Sequence, residues 1–319
     1  MNTIGTVVVG VGGLLMLYFG ADGLVKGGSA IAARLKVPPL IVGLTLVAFG
    51  TSAPELFVST NAAVQGLGDV CVGNVVGSNI CNVALILGLS ALVAPLEVGR
   101  ALLRRDIPVM IVASVLATAV GLGGAGMGRC AGLAFVGILV AYTWLGFLTF
   151  RPNSAVPSPD EAGEMPTGVA VAVSFIGLAA LVVGAKFVLI GAVSMAHAMG
   201  VSDGLVSLTV VAVGTSLPEL ATSVVAARDG EPDIAIGNLV GSNIFNIFGI
   251  LGVSALVKPF SSPGIDAVDY AFMIGTAAIL LPLALIRRRF GRREGLLLLV
   301  IYAAYLVRLV MNGVALTTC

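Results

Sequence analysis

A segment near the start of the chain, GLTLVAFGTSAPEL at residues 43–56, returns as SLTVVAVGTSLPEL at residues 207–220, so that numbering in the second copy runs 164 ahead of the first. The register holds without a gap through GNVVGSNICN (73–82) and GNLVGSNIFN (237–246), out to Pro95 and Pro259. From Thr45 and Thr209 onward, 30 of 51 aligned positions are identical, which requires duplication and not chance. Whatever the first copy folds into, the second must fold into as well. Each copy holds an acidic residue inside an apolar segment, the pattern of one site built from two halves.

Composition decides the solvent. With 58% apolar and 10% charged residues, the chain lies far outside the range of water-soluble domains and belongs in a lipid bilayer. A net charge of +1 leaves no basic surface for nucleic acid. Cys71, Cys81, Cys130 and Cys319 form no C-x-x-C pair, so they read as small apolar residues and not as a zinc site or a disulfide framework. The first apolar run lacks a basic leader and reads as a retained span.

Crossing about 30 Å of hydrocarbon takes roughly 20 residues. Breaks at Gly, Pro and charge place spans near 3–33, 38–65, 68–94, 104–122 and 128–150, then 167–195, 202–228, 232–257, 267–288 and 294–312. The expected fold is an all-α polytopic membrane protein of ten transmembrane helices. Residues 1–150 form a first five-helix repeat, 151–166 a polar, proline-rich linker, and 167–319 a second repeat. The loops after the odd-numbered spans carry Arg34, Lys36, Arg100, Arg104, Arg105, Arg151, Arg228, Arg287, Arg288, Arg289, Arg292 and Arg293, against Arg129, Lys258 and Arg308 on the other side. The positive-inside rule then puts the linker in the cytoplasm and both termini outside it. Five spans being odd, the second repeat is inverted relative to the first, and equivalent residues face each other near the midplane.

Glu55 and Glu219 are such equivalents, and a carboxylate at that depth costs about 2.5–3.5 kcal/mol on insertion scales. One account is a structural ion pair with Lys26 or Lys186, but those lysines are not equivalent under the offset, whereas the glutamates and their surroundings are. Pro54 and Pro218 lack an N–H and free the carbonyls of Gly50 and Gly214, and a bound cation satisfies free carbonyls in hydrocarbon. Thr51, Ser52, Thr215 and Ser216 add hydroxyls. The resulting oxygen-only set suits a hard cation such as Na⁺ or Ca²⁺, whereas a transition metal favours His or Cys. The second motif suggests a small-residue break at Gly77-Ser78 and Gly241-Ser242. Ser78 with Asn82, and Ser242 with Asn246, then share a helix face at i, i+4. Close helix packing is the competing account, above all for Gly73, Gly77, Gly237 and Gly241.

The paired G-T-S-x-P-E and G-S-N-I-x-N motifs resemble the two α-repeats of the calcium/cation antiporter superfamily, specifically prokaryotic sodium/calcium exchangers. The resemblance implies antiport of Na⁺ and Ca²⁺ across the inner (cytoplasmic) membrane without a cofactor or an enzymatic step. It implies a cluster of cation sites among helices 2, 3, 7 and 8, and helices 1 and 6 sliding over that core. By motif position the ligands would be Glu55, Glu219, Asn82 and Asn246, the hydroxyls of Thr51, Ser52, Thr215, Ser216, Ser78 and Ser242, and backbone oxygens at Ala48, Thr51, Ala212 and Thr215. Many relatives carry Asp where this chain has Asn246, so potassium co-transport is not expected.

H⁺/Ca²⁺ exchange by the same two glutamates is the alternative within transport. A hydrolase would need a nucleophile and base within the spans, and the single histidine, His197, falls in the region expected to loop between spans 6 and 7. The V-G-V-G-G run at residues 9–13 has neither the strand nor the acidic partner of a dinucleotide site and reads as small-residue helix packing.

Overall fold

The computed structural model describes residues 3–124, 126–149, 165–198 and 212–317. Uniform apolarity, with no water to compete for backbone hydrogen bonds, makes nearly all of it helix. Helix α1 (Thr3–Leu35) is followed by a bent pair, α2 (Pro39–Thr51) and α3 (Ala53–Gln65), and by α4 (Gly68–Val93), α5 (Leu102–Leu122) and α6 (Arg129–Leu148). The second half runs α7 (Thr167–Ala198), α8 (Ala212–Thr215), α9 (Leu217–Arg228), α10 (Pro232–Val257), α11 (Ala267–Arg287) and α12 (Arg292–Thr317). Among the described residues, eight helices are long and apolar enough to cross a membrane, or nine with α2–α3 taken as one bent span. The span expected at 202–228 lies partly outside the described residues, as does all but the end of the 151–166 linker. His197 is not in a loop but in the last turn of α7.

Duplication shows in the turns. Gly66 and Gly230, equivalent under the repeat offset, end α3 and lie just past α9, each with φ +80°, a left-handed conformation that lets the chain reverse into α4 and α10. These hairpins build the centre, where α4 and α10 are the most buried of the long helices. A two-residue antiparallel pairing, Leu96 with Phe290 and Glu97 with Arg289, ties the halves together at one end. The outer face is apolar: Phe19, Trp144, Phe175, Ile176 and Val300 are all more than 60% exposed, a surface that only hydrocarbon solvates well.

Helices α1 and α7 run antiparallel along one side of this core. Glycines repeat every seven residues on both, and Gly13 meets Gly184 as Gly20 meets Gly177. A Cβ on Gly20 would stand 2.7 Å from the Gly177 carbonyl oxygen, so the backbones touch where any side chain would separate them. Two polar contacts fasten α1 to the core: Tyr18 accepts from Arg228 at 2.7 Å, and Ser29 donates to Glu231 at 2.8 Å.

The expected break at Gly77-Ser78 and Gly241-Ser242 is absent, because the α-helical part of α4 continues to Ile80 and that of α10 to Ile244. The irregularity comes just afterwards, where both helices widen into π-helical turns at Cys81–Ile86 and Phe245–Leu251. At Gly241 the packing account holds, since a Cβ there would lie 2.6 Å from the Leu44 carbonyl oxygen.

Candidate cation site

Helices α2 and α3 part at Ser52, whose φ and ψ of −81° and 9° leave the helical region, and their axes bend by 48°. Pro54 sits in the first turn of α3, where a missing N–H costs nothing. Ser216 has the same conformation, −88° and 10°, ahead of α9 and Pro218. Each break places a glutamate, Glu55 or Glu219, in the first turn of the helix that follows, where the positive end of the helix dipole favours a carboxylate.

The halves interlock at these acids. Ser52 donates to Glu219 Oε1 at 2.9 Å, and Ser216 donates to Glu55 Oε1 at 3.2 Å. Each serine thus serves the other repeat's carboxylate. Ser78 Oγ lies 3.5 Å from Ser216 Oγ, Thr215 faces Glu55 and Thr51 faces Glu219. Both glutamates are 1% exposed, and neither makes an ion pair among the described residues. Lys26 is engaged with Asp22 at 2.8 Å and Lys186 is exposed, so the structural ion pair is ruled out.

Thr51 donates to Asn238 Oδ1 at 3.1 Å and to the Ala48 carbonyl at 3.3 Å, which also accepts from Ser242 at 3.4 Å. Ala48 thereby joins the cluster through its backbone oxygen. Ala212 opens the short helix α8, which ends at Thr215. Asn82 and Asn246 each occupy the second position of a π-helical segment. The Asn82 segment packs on α9, which carries Glu219, and the Asn246 segment packs on α3, which carries Glu55.

Two further pairs of amides belong to the site and are absent from the sequence-derived set. Asn74 donates to Ser59 at 2.9 Å and to the Glu55 carbonyl at 3.4 Å, and Asn238 donates to Ser223 and the Glu219 carbonyl at the same distances. These bonds clamp the backbone of the glutamates. Asn79 and Asn243 accept from Asn246 and Asn82, at 3.4 and 3.0 Å. All four lie inside the repeated GN-x-VGSNI-x-N motif, so the signal was present in the duplication itself.

After these bonds are made, four buried oxygens of this cluster have no partner among the described residues: Glu55 Oε2, Glu219 Oε2, Asn82 Oδ1 and Asn246 Oδ1. They form two repeat-related pairs. A buried acceptor left unpaired costs about 1–3 kcal/mol, and more when charged. All four are hard donors of the kind preferred by a cation that binds oxygen.

A model of the family described as sodium/calcium exchanger protein matches residues 5–148 and 169–311. The chain is 39% identical over 305 residues to the putative antiporter CaxA of Alkalimonas amylolytica, covering 92% of this chain and 95% of that protein. It is 36% identical over 334 residues to the sodium/calcium exchanger MaX1 of Methanosarcina acetivorans, covering 92% and 95%. Its fold superimposes on the sodium-calcium exchanger NCX_Mj soaked with 10 mM Na⁺ and zero Ca²⁺, with a TM-score of 0.84 at 30% identity, over 96% of this chain and 99% of the other.

Proposed function

Because the chain belongs to the sodium/calcium exchanger protein family, whose members are secondary transporters that need no cofactor and not enzymes, we propose that it exchanges Na⁺ for Ca²⁺ across the cytoplasmic membrane by alternating access, with the cluster around Glu55 and Glu219 as its cation site. The four unpartnered oxygens of Glu55, Glu219, Asn82 and Asn246 carry this reading. Among the described residues no protein donor reaches them, and a cation would satisfy all four. Thr51, Ser52, Thr215, Ser216, Ser78 and Ser242, with the carbonyls of Ala48 and Ala212, complete the proposed ligand shell.

Charge explains why such a site would exchange and not leak. Two ionised glutamates give −2. One Ca²⁺, two Na⁺ or two H⁺ each neutralise it, and three Na⁺ leave +1. A neutral loaded site is cheaply enclosed in a low dielectric, whereas an empty one at −2 is not. The empty carrier is therefore held from crossing, and one ion must replace the other. In this reading ten helices form two inverted five-helix repeats, with residues 151–166 in the cytoplasm and both termini outside. The antiparallel pair α1 and α7, in contact through glycines, is the element that slides across the core to open each side in turn.

The test is uptake of ⁴⁵Ca²⁺ into proteoliposomes driven by an outward Na⁺ gradient, compared with an outward H⁺ gradient, at clamped voltage. Na⁺-driven uptake at fixed pH is expected. Uptake driven by H⁺ alone would make the protein an H⁺/Ca²⁺ exchanger using the same glutamates, and uptake with neither gradient would refute coupled exchange.

A further inference from the structure

An amide is nearly the same shape either way round, yet a cation accepts only its oxygen face. Something must therefore fix which way Asn82 and Asn246 are turned. Two methionines on helices outside the four that carry the glutamates and their amides are placed to do so. Met110, on α5, has its sulfur 3.4 Å from Asn243 Nδ2, and Met273, on α11, has its sulfur 3.8 Å from Asn79 Nδ2. A thioether carries no proton and can only accept. Facing it obliges each outer amide to point its N–H₂ outward and its oxygen inward. Asn243 Oδ1 then accepts from Asn82 Nδ2, and Asn79 Oδ1 from Asn246 Nδ2. With their N–H₂ groups so engaged, both inner amides are left with the oxygen unpartnered.

Resting on the cation-site reading above, we propose that Met110 and Met273 are positioning residues that set the direction of two amide chains, so that Asn82 and Asn246 present oxygen and not N–H to the ion. Sulfur suits the task because it accepts weakly and does not compete for a hard cation. The two chains are not equally secured. Asn243 Nδ2 has a second acceptor, the Asn79 carbonyl at 3.3 Å. Asn79 Nδ2 has only Met273 among the described residues. The orientation of Asn246 therefore depends on Met273 more than that of Asn82 depends on Met110.

The experiment measures Ca²⁺ uptake against Ca²⁺ concentration in proteoliposomes for Met273→Leu and Met110→Leu. Losing one oriented oxygen should raise half-saturating Ca²⁺ about tenfold for Met273→Leu with the maximal rate kept, and about threefold or less for Met110→Leu. Should the leucine variant not reach the membrane, Met273→Ile, which also lacks an acceptor, takes its place. A second arm adds Met273→Leu to Asn246→Ala. With the oriented amide gone, the leucine should add nothing. Additive losses, or an unchanged half-saturation in Met273→Leu while Asn246→Ala is impaired, would overturn the relay alone. Wild-type Ca²⁺ affinity in Asn246→Ala would remove Asn246 from the site and the relay with it.

Discussion

Replacing Glu55 by Gln changes the charge of the site while sparing its scaffold. The amide keeps an oxygen for the Ser216 hydroxyl, which stands 3.2 Å from Glu55 Oε1, so the packing of α3 against the second repeat is retained. The two acids together then carry −1 in place of −2, and a bound Ca²⁺ leaves +1 uncompensated at a position only 1% exposed. Stranding a buried charge costs about 3–5 kcal/mol, which raises the half-saturating Ca²⁺ concentration roughly 150- to 5,000-fold. The empty protein should move the other way. Removing one of two facing carboxylates relieves repulsion and desolvation, so the variant should unfold at a higher temperature without Ca²⁺ and gain little more when Ca²⁺ is added. Concentration-dependent ⁴⁵Ca²⁺ uptake in proteoliposomes, with thermal unfolding in detergent at several Ca²⁺ concentrations, measures both. Glu219→Gln should behave alike, because Ser52 holds Glu219 as Ser216 holds Glu55. Wild-type half-saturation in either variant, or a full Ca²⁺-dependent rise in unfolding temperature, would refute the charge argument.

Three other outcomes follow from the same structure. A cysteine placed in residues 151–166 should resist an impermeant thiol reagent on intact cells, while one at residue 2 or 318 reacts; the opposite pattern would invert the orientation. Gly20→Ala should lower the unfolding temperature and slow uptake, since its Cβ would stand 2.7 Å from the Gly177 carbonyl oxygen and overpacking of this kind costs about 1–3 kcal/mol. Gly23→Ala is the control, with its nearest neighbour at 3.6 Å, and equal effects of the two would show that close approach of α1 and α7 is not what matters. Finally, Asn246 offers an oxygen but neither charge nor a proton site, so two acids cannot balance Ca²⁺ together with K⁺, and transport at clamped voltage should not require K⁺. Asn246→Asp takes the site to −3 and should introduce K⁺ or pH dependence; a strict K⁺ requirement in the unmodified protein would overturn this count.

What could be read ahead of the structure was what duplication and membrane cost make visible. An acid in an apolar run stands out, and its recurrence at the same place in the second copy pairs Glu55 with Glu219 before any coordinate is known. The break beside Pro54 was legible for a similar reason, since a proline, lacking an N–H, is best placed in the first turn of a helix. The π-helical turns were not. CNVALI and FNIFGIL, apolar but for one asparagine each, are too short to distinguish one helical period from another. Met110 and Met273 were hidden by register: the repeat offset carries Met110 onto Ile274, one position past Met273, so the two methionines do not align. Asn79 and Asn243 were in plain view within the motif, each three residues before one inner amide but holding the inner amide of the other repeat. Nothing along the chain says which asparagine meets the ion and which one orients it. That distinction depends on the direction of a hydrogen bond, and it is made only where an acceptor from another helix, one with no proton of its own, forces the amide to turn.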